Sequence, residues 1–180
     1  MSPRPAPDLD QRRDQVIRVA RALAEGDGWA AVTMRSLAAQ LGVTQPVLYS
    51  AFAGRQALID AVAVTGFGDL AEELSAADPT PLARMRAYLD FAAAHPRVYE
   101  AMFSLPSGLS FATDDTPEPL RQAFSAIRVA FPDADGTRAE VAWSTLHGLA
   151  TLAAGGRLRP DAAQARLDLA HRMLTLKENH

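Results

Sequence analysis

Apolar residues recur every three or four positions along this chain, and no stretch alternates convincingly between apolar and polar residues as a β-strand does. In the segment Leu9–Glu25 these positions form an aliphatic stripe, which Gly26-Asp27-Gly28 ends. The pattern predicts an all-α protein. Besides a pair of short helices between residues 33 and 49, we predict helices at Arg55–Ser75, Leu82–Ala94, Pro96–Leu105, Pro117–Ala130, Gly136–Ala154 and Asp161–Lys177.

The segment Thr33–Tyr49 predicts two short helices joined by a tight turn. Thr33 and Thr44 each stand where a helix begins, because a threonine hydroxyl accepts a hydrogen bond from a backbone N–H that the first turn leaves unpaired. Gly42 suits a left-handed turn, and Pro46 is tolerated in the first turn of the second helix. Two such helices are typical of a helix-turn-helix, which inserts the start of its second helix into the major groove of duplex DNA.

The charge is distributed unevenly between the two parts of the chain. The net charge is -3, yet residues 1–55 hold seven arginines against five acidic residues, and residues 56–180 hold eleven basic against sixteen acidic residues. The basic charge therefore accompanies the predicted helix-turn-helix. This asymmetry suits a small DNA-binding head on an acidic body.

Composition excludes several other classes of protein. Cysteine is absent, which rules out disulfides, thiolate catalysis and cysteine-based zinc fingers. The first seven residues are polar and proline-rich where a secretory signal needs an apolar run, and no later segment is long and apolar enough to span a bilayer. We expect a soluble cytoplasmic protein without membrane association, and no motif indicates a metal site or a cofactor.

Residues 14–63 resemble the N-terminal domain of the TetR family of one-component bacterial transcriptional regulators. The resemblance rests on the helix end at Gly26–Gly28, the run Thr33–Ala38, the turn Leu41–Val43, the pair Leu48-Tyr49, Phe52, and Arg55 followed by Leu58. It implies an all-α dimer whose larger C-terminal domain binds a small molecule and whose usual action is repression. On this basis residues 1–55 form a helix-turn-helix DNA-binding domain with an arm at 1–8, and residues 56–180 form a ligand-binding and dimerisation domain.

Three positions bear on how far the resemblance extends. The chain has Ser50-Ala51 where the family often has an aromatic or histidine and a bulky residue, and it has Arg55 where the family commonly has lysine. Arginine keeps the charge and gains a fork for phosphate.

In the C-terminal part, residues 142–149 resemble the Trp-His-Gly signature of one ligand-domain subgroup.

The resemblance and the helix positions together predict the DNA contacts. Tyr49, Thr33 and Arg55 resemble the phosphate-binding residues of the family, Gln45 suits an adenine edge, and Thr44 and Pro46 suit a thymine methyl. The alternatives are that Tyr49 is a core aromatic, that the threonines only cap helices, that Pro46 serves only geometry and that Arg35 is only solvated. The predicted DNA-binding residues are Thr33, Arg35, Ser36, Thr44, Gln45, Pro46, Val47, Tyr49, Ser50 and Arg55.

Aromatic and thioether side chains in the larger domain are candidates for lining a ligand pocket. At helical spacing such residues more often form plain core, so we expect about a third of them to line a cavity. The single histidine could donate to a polar ligand, although a lone histidine is more often a structural residue. The candidates for an effector that is partly apolar are Tyr88, Phe91, Tyr99, Met102, Phe103, Phe124, Trp143 and His147.

The last two predicted helices are the natural pair for a two-fold four-helix bundle between subunits, which makes the chain a homodimer. Gly148 inside the first of them indicates close approach by another helix. The apolar surface for this bundle consists of Leu146, Leu149, Leu152, Leu167, Leu169, Met173 and Leu174.

Two other functions are compatible with parts of the sequence. An enzyme would use Glu140, Ser144 and His147, but side chains from one helix point the same way and provide no opposed oxyanion site, and no catalytic motif is present. The second alternative is a DNA-binding protein whose larger domain binds another protein instead of a small molecule. We favour a DNA-binding, ligand-responsive repressor that is not an enzyme.

Overall fold

A computed structural model describes residues 9–176, and within this range the chain folds into α-helices and two short 3-10 turns, with no β-strand. The all-α prediction is confirmed. The predicted arm at residues 1–8 and Lys177, the predicted end of the last helix, lie outside the described residues. The helices are α1 Leu9–Asp27, α2 Met34–Leu41, α3 Gln45–Tyr49, α4 Arg55–Ala76, α5 Pro81–Ala94, α6 Pro96–Phe103, α7 Glu118–Ala130, α8 Thr137–Ala154 and α9 Ala163–Thr175.

Most predicted helix ends lie within two residues of the observed ones, because Gly, Pro and capping residues mark them locally. The largest difference at a helix start is in the last helix. The sequence predicts a start at Asp161, but a 3-10 turn spans Pro160–Ala162 and α9 begins two residues later, at Ala163. Proline fixes its own backbone angle and lacks an N–H, so it readily opens such a tighter turn before a helix.

The chain divides into two compact units, each with its own core. The first unit contains residues 9–66 and 97–109, and the second contains residues 67–96 and 110–176. The division therefore falls within α4, between Gly66 and Phe67. Nothing in the sequence pattern indicated that residues 97–109 pack with the first unit.

In the first unit, α1 packs against the 3-10 turn Trp29–Ala31 and against α2, and α2 packs against α3. The aliphatic stripe predicted on α1 is buried in this core, as is Phe52. Burial of these side chains is the main driving force that holds the short helices in place, since helices of five and eight residues are not stable alone. The buried stripe consists of Val16, Ile17, Ala20, Leu23 and Ala24.

The helix α6 is fastened to the first unit by polar bonds and by close packing. The carboxylate of Glu25 accepts hydrogen bonds from the backbone N–H groups of Arg97 (3.2 Å) and Val98 (3.1 Å), and the indole of Trp29 donates to the carbonyl oxygen of Arg97 (2.8 Å). A Cβ atom on Gly66 would lie 2.5 Å from Cγ1 of Val98. From the sequence alone, Gly66 is expected only to weaken the helix. In the structure it permits the close approach of α4 and α6.

In the second unit, α5 packs against α7, α8 and α9. Met85, Tyr88 and Phe91 of α5 are fully buried there. Arg84 is also buried, and its guanidinium donates to the carbonyl oxygen of Ala126 at 3.1 Å, which satisfies a polar group that would otherwise be costly to bury. Across residues 9–176, no helix combines the length and apolar character needed to cross a membrane.

Candidate DNA interface and ligand cavity

The helix-turn-helix begins with a reciprocal cap at Thr33. The Thr33 hydroxyl accepts from the backbone N–H of Ser36 at 3.0 Å, and the Ser36 hydroxyl accepts from the backbone N–H of Thr33 at 3.0 Å. Ser36 Oγ also lies 2.7 Å from the carbonyl oxygen of Ala31, to which it donates. The predicted cap is confirmed. The Ser36 hydroxyl is thus engaged within the protein, and its predicted contact with DNA stays a prediction.

The turn between α2 and α3 has the predicted left-handed geometry. Gly42 has φ 64° and ψ 32°, and the backbone N–H of Val43 bonds to the carbonyl oxygen of Ala38 at 3.0 Å. A side chain at residue 42 would be strained in this conformation, so the turn fixes the angle between the two helices at a position that favours glycine.

The predicted hydroxyl cap at Thr44 is wrong. Thr44 occupies the position before α3 with extended backbone angles, but its side chain makes no capping bond within the described structure. Pro46 has no N–H to offer, and the N–H of Val47 bonds to the carbonyl oxygen of Thr44 at 3.0 Å. The Thr44 hydroxyl therefore does not serve as a cap, and Thr44, Gln45 and Pro46 are all exposed at the start of α3.

The remaining predicted contacts on α3 differ in exposure. Tyr49 is 52% exposed, so the alternative that it is a core aromatic is wrong. Val47 is half-buried, and the Ser50 hydroxyl donates to the carbonyl oxygen of Val47 at 2.7 Å. Tyr49 is thus the large side chain that α3 presents on the protein surface.

Arg55 has a role within the protein that the sequence did not indicate. Its Nε donates to the carbonyl oxygen of Val32 at 2.8 Å, and its Nη2 donates to the carbonyl oxygen of Trp29 at 2.7 Å. Two of the three nitrogens of this fork thus tie the start of α4 to the segment that precedes α2. Arg13 acts similarly: it donates to the carbonyl oxygen of Ala51 and lies 4.5 Å from the ring centroid of Phe52.

Arg55→Lys is expected to destabilise the protein by about 1 kcal/mol, because one ammonium on a flexible chain does not reproduce two bonds from a planar fork. Urea unfolding followed by circular dichroism measures this loss. Arg35→Lys is the matched control, since Arg35 is exposed on α2 and has no hydrogen-bond partner among the described residues. Equal stability of the two variants would mean that the fork does not support the fold.

The second unit contains a partly open cavity of about 460 Å³ with mainly apolar walls. Three of the eight predicted ligand-binding residues line it: Tyr88, Phe124 and Trp143. The Trp143 indole donates to the Tyr88 hydroxyl at 3.1 Å, and the rings of Phe124 and Trp143 lie 5.8 Å apart. This fraction is close to the third that we expected to line a cavity.

The other five predicted residues do not line this cavity. Phe91 is buried core of the second unit, and His147 lies on α8 outside the lining, where burial lowers its pKa and keeps the imidazole neutral at pH 7. Tyr99, Met102 and Phe103 lie on α6 and pack in the first unit, so the docking of α6 removes them from the pocket. Glu140 and Ser144 line the cavity without His147, so the three residues of the possible catalytic set are not brought together there.

Several lining residues were missed from sequence. Phe67 and Leu70 come from the second half of α4, and Phe111, Ala112 and Thr113 come from the irregular segment before α7. That segment is pinned at one turn, where the backbone N–H of Thr113 bonds to the Thr116 hydroxyl at 3.0 Å and Arg121 donates to the Thr116 carbonyl oxygen. It carries no periodicity that would have predicted an inward-facing residue.

The predicted dimer surface is partly buried within one protomer. Leu146 and Leu167 belong to the core of the second unit, so their assignment to a subunit interface is wrong. Leu169 and Met173 are 50% and 66% exposed, and they share one face of α9. Other exposed apolar residues on α8 are Val141 and Leu152. On the same face of α8, a Cβ on Gly148 would meet no atom of the described residues within 4 Å.

An all-α chain with a capped helix-turn-helix in one unit and an apolar cavity in the other has the organisation of a helix-turn-helix regulator. Its sequence matches the model described as bacterial regulatory proteins, tetR family, over residues 16–62. Residues 82–176 match the model described as tetracyclin repressor-like, C-terminal domain. The chain belongs to the TetR family and is a DNA-binding transcriptional regulator.

Individual proteins are similar to this chain in sequence or in fold. An uncharacterized HTH-type transcriptional regulator of Mycobacterium tuberculosis is 28% identical over 78% of this chain and 69% of its own length. A structure of a protein of unknown function from Rhodococcus sp. RHA1 is 28% identical, covers 98% of this chain and 100% of that one, and has a TM-score of 0.68. A TetR-family regulator from Pectobacterium atrosepticum shares the fold, with a TM-score of 0.68 at 23% identity over 95% of this chain and 94% of that one.

Proposed function

We propose that this protein is a homodimeric repressor that binds a near-palindromic operator in the cytoplasm and is released by a small molecule. The observation that carries the proposal is the helix-turn-helix itself. Its first helix is capped at Thr33, its turn is fixed at Gly42, and the start of α3 exposes Thr44, Gln45 and Pro46. This exposed end is the part of such a motif that reads base edges.

The proposed contacts divide into base readout and phosphate binding. Gln45, at the first position of α3, is suited to bond bidentately to an adenine, and Thr44 has a hydroxyl that no cap occupies. We assign phosphate contacts to two exposed hydroxyl residues, Tyr49 on α3 and Thr33 at the start of α2. The exposed Arg35 on α2 adds a positive charge for the DNA backbone. Arg55 contributes by holding the motif in shape.

Dimerisation is supported by the exposed apolar face on α8 and α9. The two helices pack against each other within a protomer, and the open space at Gly148 suits close approach by a partner helix. In a two-fold dimer the two α3 helices enter successive major grooves about 34 Å apart, so the operator should be a near-palindrome. The dimer thus sets the operator spacing.

Release by a small molecule is supported by the origin of the cavity lining. Phe67 and Leu70 belong to α4, whose first half lies in the unit that carries the helix-turn-helix. A ligand that contacts them acts directly on this shared helix. It releases DNA only by the difference in its affinity for the two states of the protein, typically about 1 to 3 kcal/mol of coupling.

Gln45→Ala is expected to relax the preference at one base position in each half-site, because a bidentate pair discriminates between bases by roughly 1 to 3 kcal/mol. Selection on randomised duplex DNA, run on the wild type and the variant, measures this change. Gln40→Ala is the control, since Gln40 is an exposed glutamine on α2 rather than at the start of α3. An unchanged base preference in the Gln45 variant would remove Gln45 from the readout.

A further inference from the structure

We propose that the cavity of the second unit selects lipophilic organic cations, with the flat body of the ligand between aromatic walls and its positive charge facing Glu140. This inference rests on the proposed effector role of the cavity and names the chemical class of the effector. Three features of the lining support this inference: its aromatic walls, the ion pair that engages Arg121, and the carboxylate of Glu140, which has no positively charged partner among the described residues.

Aromatic rings make up an unusually large part of the wall. Phe67, Tyr88, Phe111, Phe124 and Trp143 all line the cavity, and the rings of Phe67 and Phe111 lie 6.0 Å apart in an edge-to-face arrangement. The faces of such rings carry partial negative charge and attract organic cations that have left water. A flat, polarisable ligand also gains contact area against them, so the walls favour aromatic cations over aliphatic ones.

The arginine in the lining is not available for an anionic ligand. Nε of Arg121 donates to Oε2 of Glu118 at 3.0 Å, and Nη1 donates to the carbonyl oxygen of Thr116. The hydrogen bond from Arg121 lowers the pKa of Glu118, which keeps that carboxyl ionised and the pair neutral in sum at pH 7. An anion would have to displace these partners before it gained the guanidinium.

Glu140 is the lining carboxylate whose charge is not offset. It lies in the first turn of α8, is exposed, lines the cavity, and has no side-chain hydrogen bond or ion pair among residues 9–176. The positive end of the α8 dipole does not neutralise it, because Asp133 already accepts from the N–H groups of Gly136 and Arg138, both at 2.7 Å. Asp135 accepts from the N–H of Thr137 at 3.0 Å.

The surrounding charge favours the same class of ligand. The described residues of the second unit, 67–96 and 110–176, include thirteen acidic and nine basic residues. An acidic surface raises the local concentration of cations and lowers that of anions. The negative charge of Glu140 in the lining and the net negative charge of the unit therefore both favour a cationic ligand.

The test uses three tricyclic probes of nearly equal shape: N-methylacridinium, neutral acridine and acridine-9-carboxylate. Each is titrated by fluorescence into the full-length protein at pH 8 without DNA. The cation is expected to bind about ten-fold more tightly than acridine, and the carboxylate more weakly than either. In Glu140→Gln, the affinity for the cation should fall about five-fold while that for acridine stays unchanged. Asp161→Asn, which removes an equal charge outside the lining, should change neither.

Equal binding of acridine and N-methylacridinium, or an equal loss of both in Glu140→Gln, would overturn the selection for cations and leave the cavity as an effector site. Tightest binding of the carboxylate would overturn it in favour of an anion at Arg121. Absence of saturable binding by all three probes would overturn the cation site and leave the effector role of the cavity to ligands of another shape. Binding of the protein to DNA would remain a separate question, measured without any probe.

Discussion

A protein that carries Leu169→Glu and Met173→Glu is expected to be a monomer and to bind its operator about 100-fold more weakly than the wild type. Both side chains are at least half exposed on one face of α9, within the surface that we assign to the dimer. In that interface each substitution would bury a carboxylate without a partner. A monomer holds only one recognition helix, so it loses the second half-site and the affinity that two linked contacts give.

Analytical ultracentrifugation at micromolar concentration and anisotropy titration of operator DNA measure the two effects. Val129→Glu is the matched control, because Val129 is 59% exposed on α7 and lies outside the α8 and α9 surface. It should remain dimeric with normal affinity. If the double variant sedimented as a dimer and bound DNA normally, the dimer would use another surface.

Gly66→Ala is expected to destabilise the protein by about 1 to 2 kcal/mol, although alanine is the better helix former by up to about 1 kcal/mol. The added Cβ would lie 2.5 Å from Cγ1 of Val98 and 3.0 Å from Sδ of Met102. Met102 is flexible enough to adjust, but Val98 is a buried, β-branched residue on α6. Relief therefore requires α6 to move away from α4.

Gly68→Ala provides the control in the same helix. A Cβ there meets only Cβ of Pro119 at 3.9 Å, an ordinary contact, so this variant should gain about 0.5 to 1 kcal/mol of stability. Thermal and urea unfolding of the two variants should thus shift in opposite directions. A stabilised Gly66→Ala would contradict the close approach of α6 to α4.

The first unit was predictable from sequence to the extent that its signals are local. The cap at Thr33, the left-handed Gly42, Pro46 in a first turn and the stripe of α1 each depend on a few neighbouring residues, and the structure contains all of them. The hydroxyl cap predicted at Thr44 does not form within the described residues, because Pro46 has no N–H to donate and the N–H of Val47 bonds to the Thr44 carbonyl oxygen. The first reason is visible in the sequence, whereas the second depends on backbone geometry.

The second unit was predictable only in its helices. Periodicity identifies an apolar face but not the surface that covers it, so Leu146 and Leu167 were assigned to a partner subunit when they pack within the protomer. Tyr99 and Met102 were assigned to the pocket because the pattern does not reveal that α6 joins the first unit. The lining at Phe111 arises from an irregular segment, and such segments give no periodic signal.

Binding of a two-fold operator by a dimer is measured by selection of the purified protein on randomised duplex DNA, followed by anisotropy titration of the enriched site at several salt concentrations. We expect a two-fold site with half-sites about one helical turn apart and an affinity that falls steeply with salt. Failure to enrich any sequence, or enrichment of a single half-site with affinity independent of salt, would contradict a dimeric DNA-binding regulator.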